Sequence, residues 1–330
     1  MPPIRIALAA VAGAVLAAPS PAVAQVKIEK VPCLGQPNCQ RLSNGTVEVV
    51  VTTDVGPRII RYALAGGENI LAELPDSVTK TALGDWKAWG GHRLWHAPEG
   101  MPRSYAPDNA PVRFDVVGPG KVRLTQPVEA GTGIQKTITV ALEPTGTRVT
   151  VTHALANANL WDVELAPWAL TIMRGGGTVI VPQEPKGTHA ENLLPVRPMA
   201  LWAYTDLTDP RFSIGPRYVR LRSDPGRTEP QKIGLGNRQG WAAYAHGRDL
   251  FLKRFTHQAG ARYPDYGSNV EVFTAGAFIE METLGPLARL APGEVAEHLE
   301  RWELHGGVTP GDTEDAIAAA LTPLVNPAQP

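Results

Sequence analysis

From Leu42 to Leu304 the chain is cut into apolar and β-branched runs of about five to ten residues by Gly, Pro, Asn and Asp, and a helical period takes hold only near the C-terminus. With 33 Gly and 31 Pro in 330 residues, breakers recur too often for long helices. Pro removes a backbone donor and Gly raises the entropic cost of regular structure, so both favour turns. The pattern reads as an all-β chain. Runs at 46–53, 58–64, 112–117, 121–125, 134–142, 148–155, 178–181, 200–204, 231–233, 241–245, 250–255 and 297–304 are the expected strands, and 181–198 a long loop. Residues 313–324 form the expected helix, an Ala-rich segment that Asp312 or Thr313 can cap. There is no internal repeat and no Pro- or Gly-rich linker between domains.

Two late runs are joined so closely that their pairing can be worked out. Residues 269–274 and 277–284 flank Ala275-Gly276, a two-residue hairpin connection with Gly available for a positive φ. This register sets Asn269 opposite Glu282, Glu271 opposite Glu280 and Phe273 opposite Phe278, with Val270, Val272, Ile279 and Met281 on the other face. Paired carboxylates repel by a few tenths to about 1 kcal/mol in solvent, and by more when sheltered. They therefore need water, a shared proton, a cation or a ligand. Arg58, Arg93 and Lys232 are the candidate cations, of which at least one is expected within salt-bridge distance, lowering the pKa of the acids.

A second dense stretch, Gly90 to Glu99 (GGHRLWHAPE), holds His92, Arg93, Trp95 and His96. On a strand the two histidines share a face roughly 13 Å apart, too far for one metal ion. Arg93 and Trp95 fall on the opposite parity, where they supply a charge and a flat apolar surface. Trp86, Trp89 and Trp95 suit stacking on the C–H face of a sugar ring. Trp161 and Trp168, in a run apolar on both faces, read as core.

Net charge is −1 with no basic block, which argues against nucleic acid as a partner. A phosphate-binding Gly loop, a GxSxG elbow and an HExxH helix are all missing, and no metal site or cofactor is implied. Residues 1–24 combine a basic start at Arg5, an apolar run and Ala22-Val23-Ala24 before Gln25, the form of a cleaved export signal. No later run is long and apolar enough to insert in a membrane. The expected location is therefore periplasmic or secreted. There Cys33 and Cys39, bracketing a Gly and Pro turn, are expected to form a local disulfide.

These residues resemble the galactose-mutarotase-like superfamily over roughly 42–304, and within it an uncharacterised exported bacterial branch. SNGTVEVVVTTDVGPRIIRYALAGGENIL resembles the opening of such proteins. GGHRLWHAPE, VELAPWALTIM, YPDYGSNVEVF and FIEMETLGPLARLAPGE resemble the branch. The resemblance implies a large antiparallel β-supersandwich holding a carbohydrate on a concave face, with an N-terminal segment at 25–41, the sandwich at 42–305 and a tail at 306–330. It also implies a Glu base in the strand FIEMET, Glu282 or Glu280. The acid His of mutarotases has no match, since Ala166-Pro167-Trp168 stands at its strand, leaving His92, His96 or His153 as candidates. A sugar-binding Asp of the family falls near Lys232. Arg58, Arg93, Trp95, Lys232, Asn269 and Glu271 are the implied substrate-binding set. The expectation is a carbohydrate-binding protein; an aldose 1-epimerase-like or lyase-related enzyme and a structural envelope protein are the alternatives.

Overall fold

The computed structural model describes residues 25–326; the expected export signal lies outside the described residues. Two antiparallel sheets of twelve and ten strands dominate it. The larger runs in the order Lys27–Cys33, Gln36–Ser43, Val47–Val51, Ile59–Leu64, Gly84–Ala97, Val163–Arg174, Phe278–Leu284, Val270–Ala275, Gln231–Leu235 and Met199–Leu201. Glu73–Thr81 pairs with Gly84–Ala97, and Ala288–Leu290 with Val163–Arg174. The smaller sheet centres on Trp241–His246, Asp249–Phe255, Val295–Gly306, Val149–Asn157 and Ile134–Leu142. This is an all-β sandwich.

Alternation explains the layering. In Val295–Gly306 and Ile134–Leu142 every second residue is buried, the period of a strand with one face against a core. Val49, Tyr62, Leu94, Ile138, Val151, Met173, Phe251, Val272, Met281 and Trp302 fill the space between the sheets. The helix Glu314–Val325 starts at Thr313, whose side chain accepts from the Ala316 backbone N–H. It lays Ile317 and Leu321 on the outer face of the smaller sheet, against Ile180, Ala243 and Leu252. Cys33 and Cys39 are disulfide-bonded at the turn between the first two strands, with Cα atoms 6.0 Å apart.

The acidic hairpin has a different register from the expected one. Glu271 lies opposite Glu282, Phe273 opposite Glu280, and Ala275 opposite Phe278. The loop is Gly276-Ala277 rather than Ala275-Gly276, because Gly276 takes the first loop position with φ 65°. A slip of two residues preserves the faces, so the acids remain on one surface and Val270, Val272, Ile279 and Met281 on the other.

Candidate functional site

Five adjacent strands of the larger sheet build the site on the face turned away from the smaller sheet. Their register sets side chains in rows. Trp95, Trp168 and Leu284 form the first, and Arg93, Leu170, Glu282 and Glu271 the second. Ile172, Glu280, Phe273 and Lys232 form the third. Above them Trp86, Trp95 and Tyr105 pack edge to face, with ring centroids 4.8 to 5.7 Å apart, and Trp95 does the same to Trp168 at 5.2 Å. A cavity of about 300 Å³ opens between this aromatic wall and the third row. Glu99, Tyr204 and Phe278 also line it.

Beneath the cavity, Lys232 Nζ lies 2.7 Å from Glu271 and 3.2 Å from Glu282. The expected ion pair is therefore present. Trp168 Nε1–H donates to Glu282 Oε2 at 2.7 Å, and the Lys232 ammonium sits 4.7 Å from the ring centres of both Trp168 and Trp202. One ammonium cannot neutralise two buried carboxylates. Burial, with the Glu282 charge, raises Glu271 well above the usual carboxylate range, although Lys232 pulls the other way. The expectation that the cation would lower both acids is thus reversed at Glu271. Burial works against the charge on Lys232, but the two acids hold its pKa well above normal.

Glu280, half-buried at the cavity floor, is pushed up to about 8, first by burial and then by the Glu282 charge; Arg93 and Lys232 oppose the rise. Glu99 is exposed on the same cavity and accepts a hydrogen bond from Tyr105 Oη at 2.7 Å. Burial pushes the Tyr204 phenol up to about 12. The cavity thus offers aromatic side chains, hydroxyl donors and carboxyl groups.

Other expected site residues do not line the cavity. His92 and His96 occupy the parity opposite to Arg93 and Trp95, so the sheet separates them from Glu280 and Glu282. His96 is buried 3.9 Å from Glu129 and its pKa is lowered to about 3, chiefly by burial. Asn269 is tied up by the backbone of Asn237, which it bonds through both amide atoms. Arg58 is buried and bonded to Asp108 at 2.6 Å and to the Lys87 carbonyl, not to the hairpin acids. Arg93 stacks 4.4 Å under Trp86 and donates to the Ala88 carbonyl. Burial and neighbouring Arg58 lower its pKa to about 9. Trp89 packs away from the cavity with Val50 and Ile60, and Trp161 is 64% exposed rather than core. Sequence reasoning missed Glu99, Tyr105 and Tyr204. Glu99 closes the GGHRLWHAPE stretch, but the tyrosines stand in irregular segments with no pattern to mark them.

His92, His153 and Glu300 are the one group among the described residues whose ligand-type atoms lie together, within 4.8 Å. They are fully buried between the sheets, and hydrogen bonds account for them. The His298 carbonyl can only accept, so His153 Nδ1 carries the proton and its Nε2 accepts from His92 Nε2 at 2.6 Å. His92 Nδ1 then accepts from Thr171, which accepts from Lys253. Lys253 also bonds Glu300 and the Met281 carbonyl, and Glu300 accepts from Thr283 and from Trp302 Nε1. Donors and acceptors close on themselves without an ion. The cluster is a polar pin joining the two sheets behind the site.

No protein-family model and no curated protein matches this chain. Solved structures do. A galactose mutarotase-like protein from Lactobacillus casei superposes with a TM-score of 0.55 at 12% identity, over 81% of this chain and 100% of that one. The fold is galactose mutarotase-like. A putative aldose 1-epimerase from Escherichia coli gives 0.53 at 10% identity over 81% and 98% of the two chains. A galactose mutarotase related enzyme from Lactobacillus acidophilus gives 0.52 at 8% over 82% and 98%. At such identities the likeness establishes the mutarotase-like sandwich, not a shared site.

Proposed function

We propose that this protein is an exported carbohydrate-binding protein that takes a sugar in the cavity between the Trp86, Trp95 and Tyr105 wall and the Glu280 and Lys232 row. The observation carrying this reading is the gathering of an edge-to-face group of aromatic side chains with carboxyl and phenol groups around one cavity of about 300 Å³. Aromatic faces take the C–H surface of a pyranose while polar groups at the edges take its hydroxyls. Solved structures of this fold include a putative aldose 1-epimerase and a mutarotase related enzyme, which agrees with a sugar ligand. Export is supported by the leader-like residues 1–24 and by the Cys33–Cys39 bond.

The test is calorimetric titration of the mature protein with a panel of free sugars. Trp86→Ala is expected to weaken binding roughly tenfold or more, the loss of about 1.4 kcal/mol of stacking. Trp161→Ala, on the exposed loop, is expected to leave binding unchanged. A panel on which no sugar binds, or on which both variants behave alike, refutes the reading. Export predicts that Gln25 is the first residue of the secreted product by intact mass.

A further inference from the structure

Carboxyl groups at and beneath the cavity outnumber the cations that can answer them. Glu280 and Glu99 line it, and Glu271 and Glu282 stand in the next row on the same face of the sheet. Against these four carboxyls stand Lys232 and Arg93, because Arg58 is paired with Asp108. Lys232 is held by Glu271 and Glu282, yet both carboxyl oxygens of Glu271 and Oε1 of Glu282 remain buried without a hydrogen-bond donor. Arg93 is turned to the Ala88 carbonyl and to Trp86. Neither Glu280 nor Glu99 therefore forms an ion pair with a described cation.

We propose that the cavity selects a sugar bearing a free amine, held as an ammonium ion by the Glu280 carboxylate, with the Glu99 carboxyl beside it on the exposed side. This rests on the sugar-binding reading above and names the class of sugar. The cavity, at about 300 Å³, fits a single ring better than a chain. Other charged ligands match it less well. A sugar acid would bring its carboxylate against Glu99 and Glu280, while the one cation of the lining, Lys232, is already shared by two carboxyls. A calcium or magnesium ion takes about six or more oxygen ligands, and Leu74, Leu170, Ile172, Phe273 and Phe278 make much of this lining apolar. Among the described residues the one group with three metal-type ligands together lies between the sheets instead. An ammonium carried on a carbon ring asks for less, a carboxylate for the charge and aromatic side chains for the ring and part of the cation.

The proton on Glu280 makes this selection measurable. Burial, Glu282 and Glu99 push its carboxyl up to about 8 against the pull of Arg93 and Lys232; the Tyr105 phenol also lines this cavity. Glu280 therefore carries a proton at pH 6.5, as a primary amine does. An ammonium group within about 4 to 6 Å favours the ionised carboxyl, so Glu280 releases its proton to water as the amino sugar binds. A neutral sugar leaves that proton in place. Acetylating the amine removes the cation and with it the reason for Glu280 to ionise.

Calorimetric titration of the mature protein at pH 6.5 tests this, with D-glucosamine and D-galactosamine, with D-glucose and D-galactose, and with the N-acetyl form of each amine. At least one amino sugar is expected to bind about tenfold or more tighter than both its neutral parent and its N-acetyl form. Titrations of that sugar in phosphate and in Tris should differ in heat by the ionisation of up to about one proton per ligand bound. Glu280→Gln, similar in shape but unable to ionise, should bring the ratio of amino-sugar to neutral-sugar affinity to within about threefold of one and abolish the proton release. Glu99→Gln, at an exposed and solvent-screened position, should lower the ratio by a smaller factor. The proton release of the parent decides the role of Glu280 even if its variant does not fold. Equal affinity for amino, neutral and N-acetyl sugars overturns this inference and leaves the binding reading standing. So does an amino-sugar preference that comes without proton release or survives Glu280→Gln. A panel on which no sugar binds removes the binding reading and this inference with it.

Discussion

Lys232 carries more of the site than any other side chain, because its ammonium is the counter-ion of Glu271 and Glu282 and lies against Trp168 and Trp202 at once. Removing one member of a buried ion cluster costs about 3 to 5 kcal/mol, since the charges left behind keep their desolvation penalty and lose its offset. Lys232→Met is therefore expected to lower unfolding free energy by that order in urea titrations. Adding Glu282→Gln to it should recover part of the loss. If the double variant is as unstable as the single one, the cost lies in packing against the tryptophans rather than in the uncompensated acid. Glu280 behaves differently, being half-buried and open to the cavity. Glu280→Gln is expected to change stability least near pH 4.5 and to be increasingly stabilising relative to the parent as pH rises to 8, the range in which the unfolded parent has ionised this carboxyl and the native state has not.

At the scale of elements, the strand Gly84–Ala97 decides how the site is assembled, and its glycines are what allow it. A Cβ on Gly90 would lie 2.1 Å from the Ala72 carbonyl oxygen, and one on Gly91 2.2 Å from that of Ile59. Both residues also have positive φ. Gly91→Ala is expected to cost at least about 2 kcal/mol by chemical denaturation, from strain alone at the low end. The Gly90 to Glu99 stretch was legible in the sequence as a dense group of functional residue types, but the fourteen-residue strand that carries it was not. Period-two alternation made the faces of Val270–Ala275 and Phe278–Leu284 readable, including which carboxylates share a surface. The register was not readable, because a two-residue slip moves the loop without moving any side chain to the other face. That one of Arg58, Arg93 and Lys232 would reach the acids was expected from the sequence, but not that it would be Lys232. The separation of His92 from the acids was not legible, since it depends on which parity of Gly84–Ala97 meets the core. The helix cap was read from local chemistry, and Thr313→Ala should cost about 1 kcal/mol.

For the whole molecule, the buried titrating groups predict how stability depends on pH. His92, His153 and His298 are held neutral inside the inter-sheet pin, their pKa values lowered chiefly by burial, and His96 is lowered in the same way. Each histidine binds a proton more readily in the unfolded chain, where the pKa is about 6.5. Their contribution is fully present above that value and is lost as pH falls towards the folded values, which reach about 3 at His96 and His298. Glu280 acts in the opposite direction. Its folded pKa of about 8 lies above the usual carboxylate value, so the native state holds a proton that the unfolded chain has released. That contribution is complete below about 4.5 and is lost as pH rises through 8. Stability should therefore be greatest at about pH 6.5, with an acid side set by the pin and a decline from there to pH 8 to which the site contributes. Thermal melts from pH 4 to 9 check this, and Glu280→Gln should flatten only the decline between about pH 6.5 and 8. His153→Gln, which keeps an amide in the pin, should make the acid side shallower and leave the alkaline side as it was. An acid side unchanged by that substitution would place the origin of acid sensitivity outside the inter-sheet cluster.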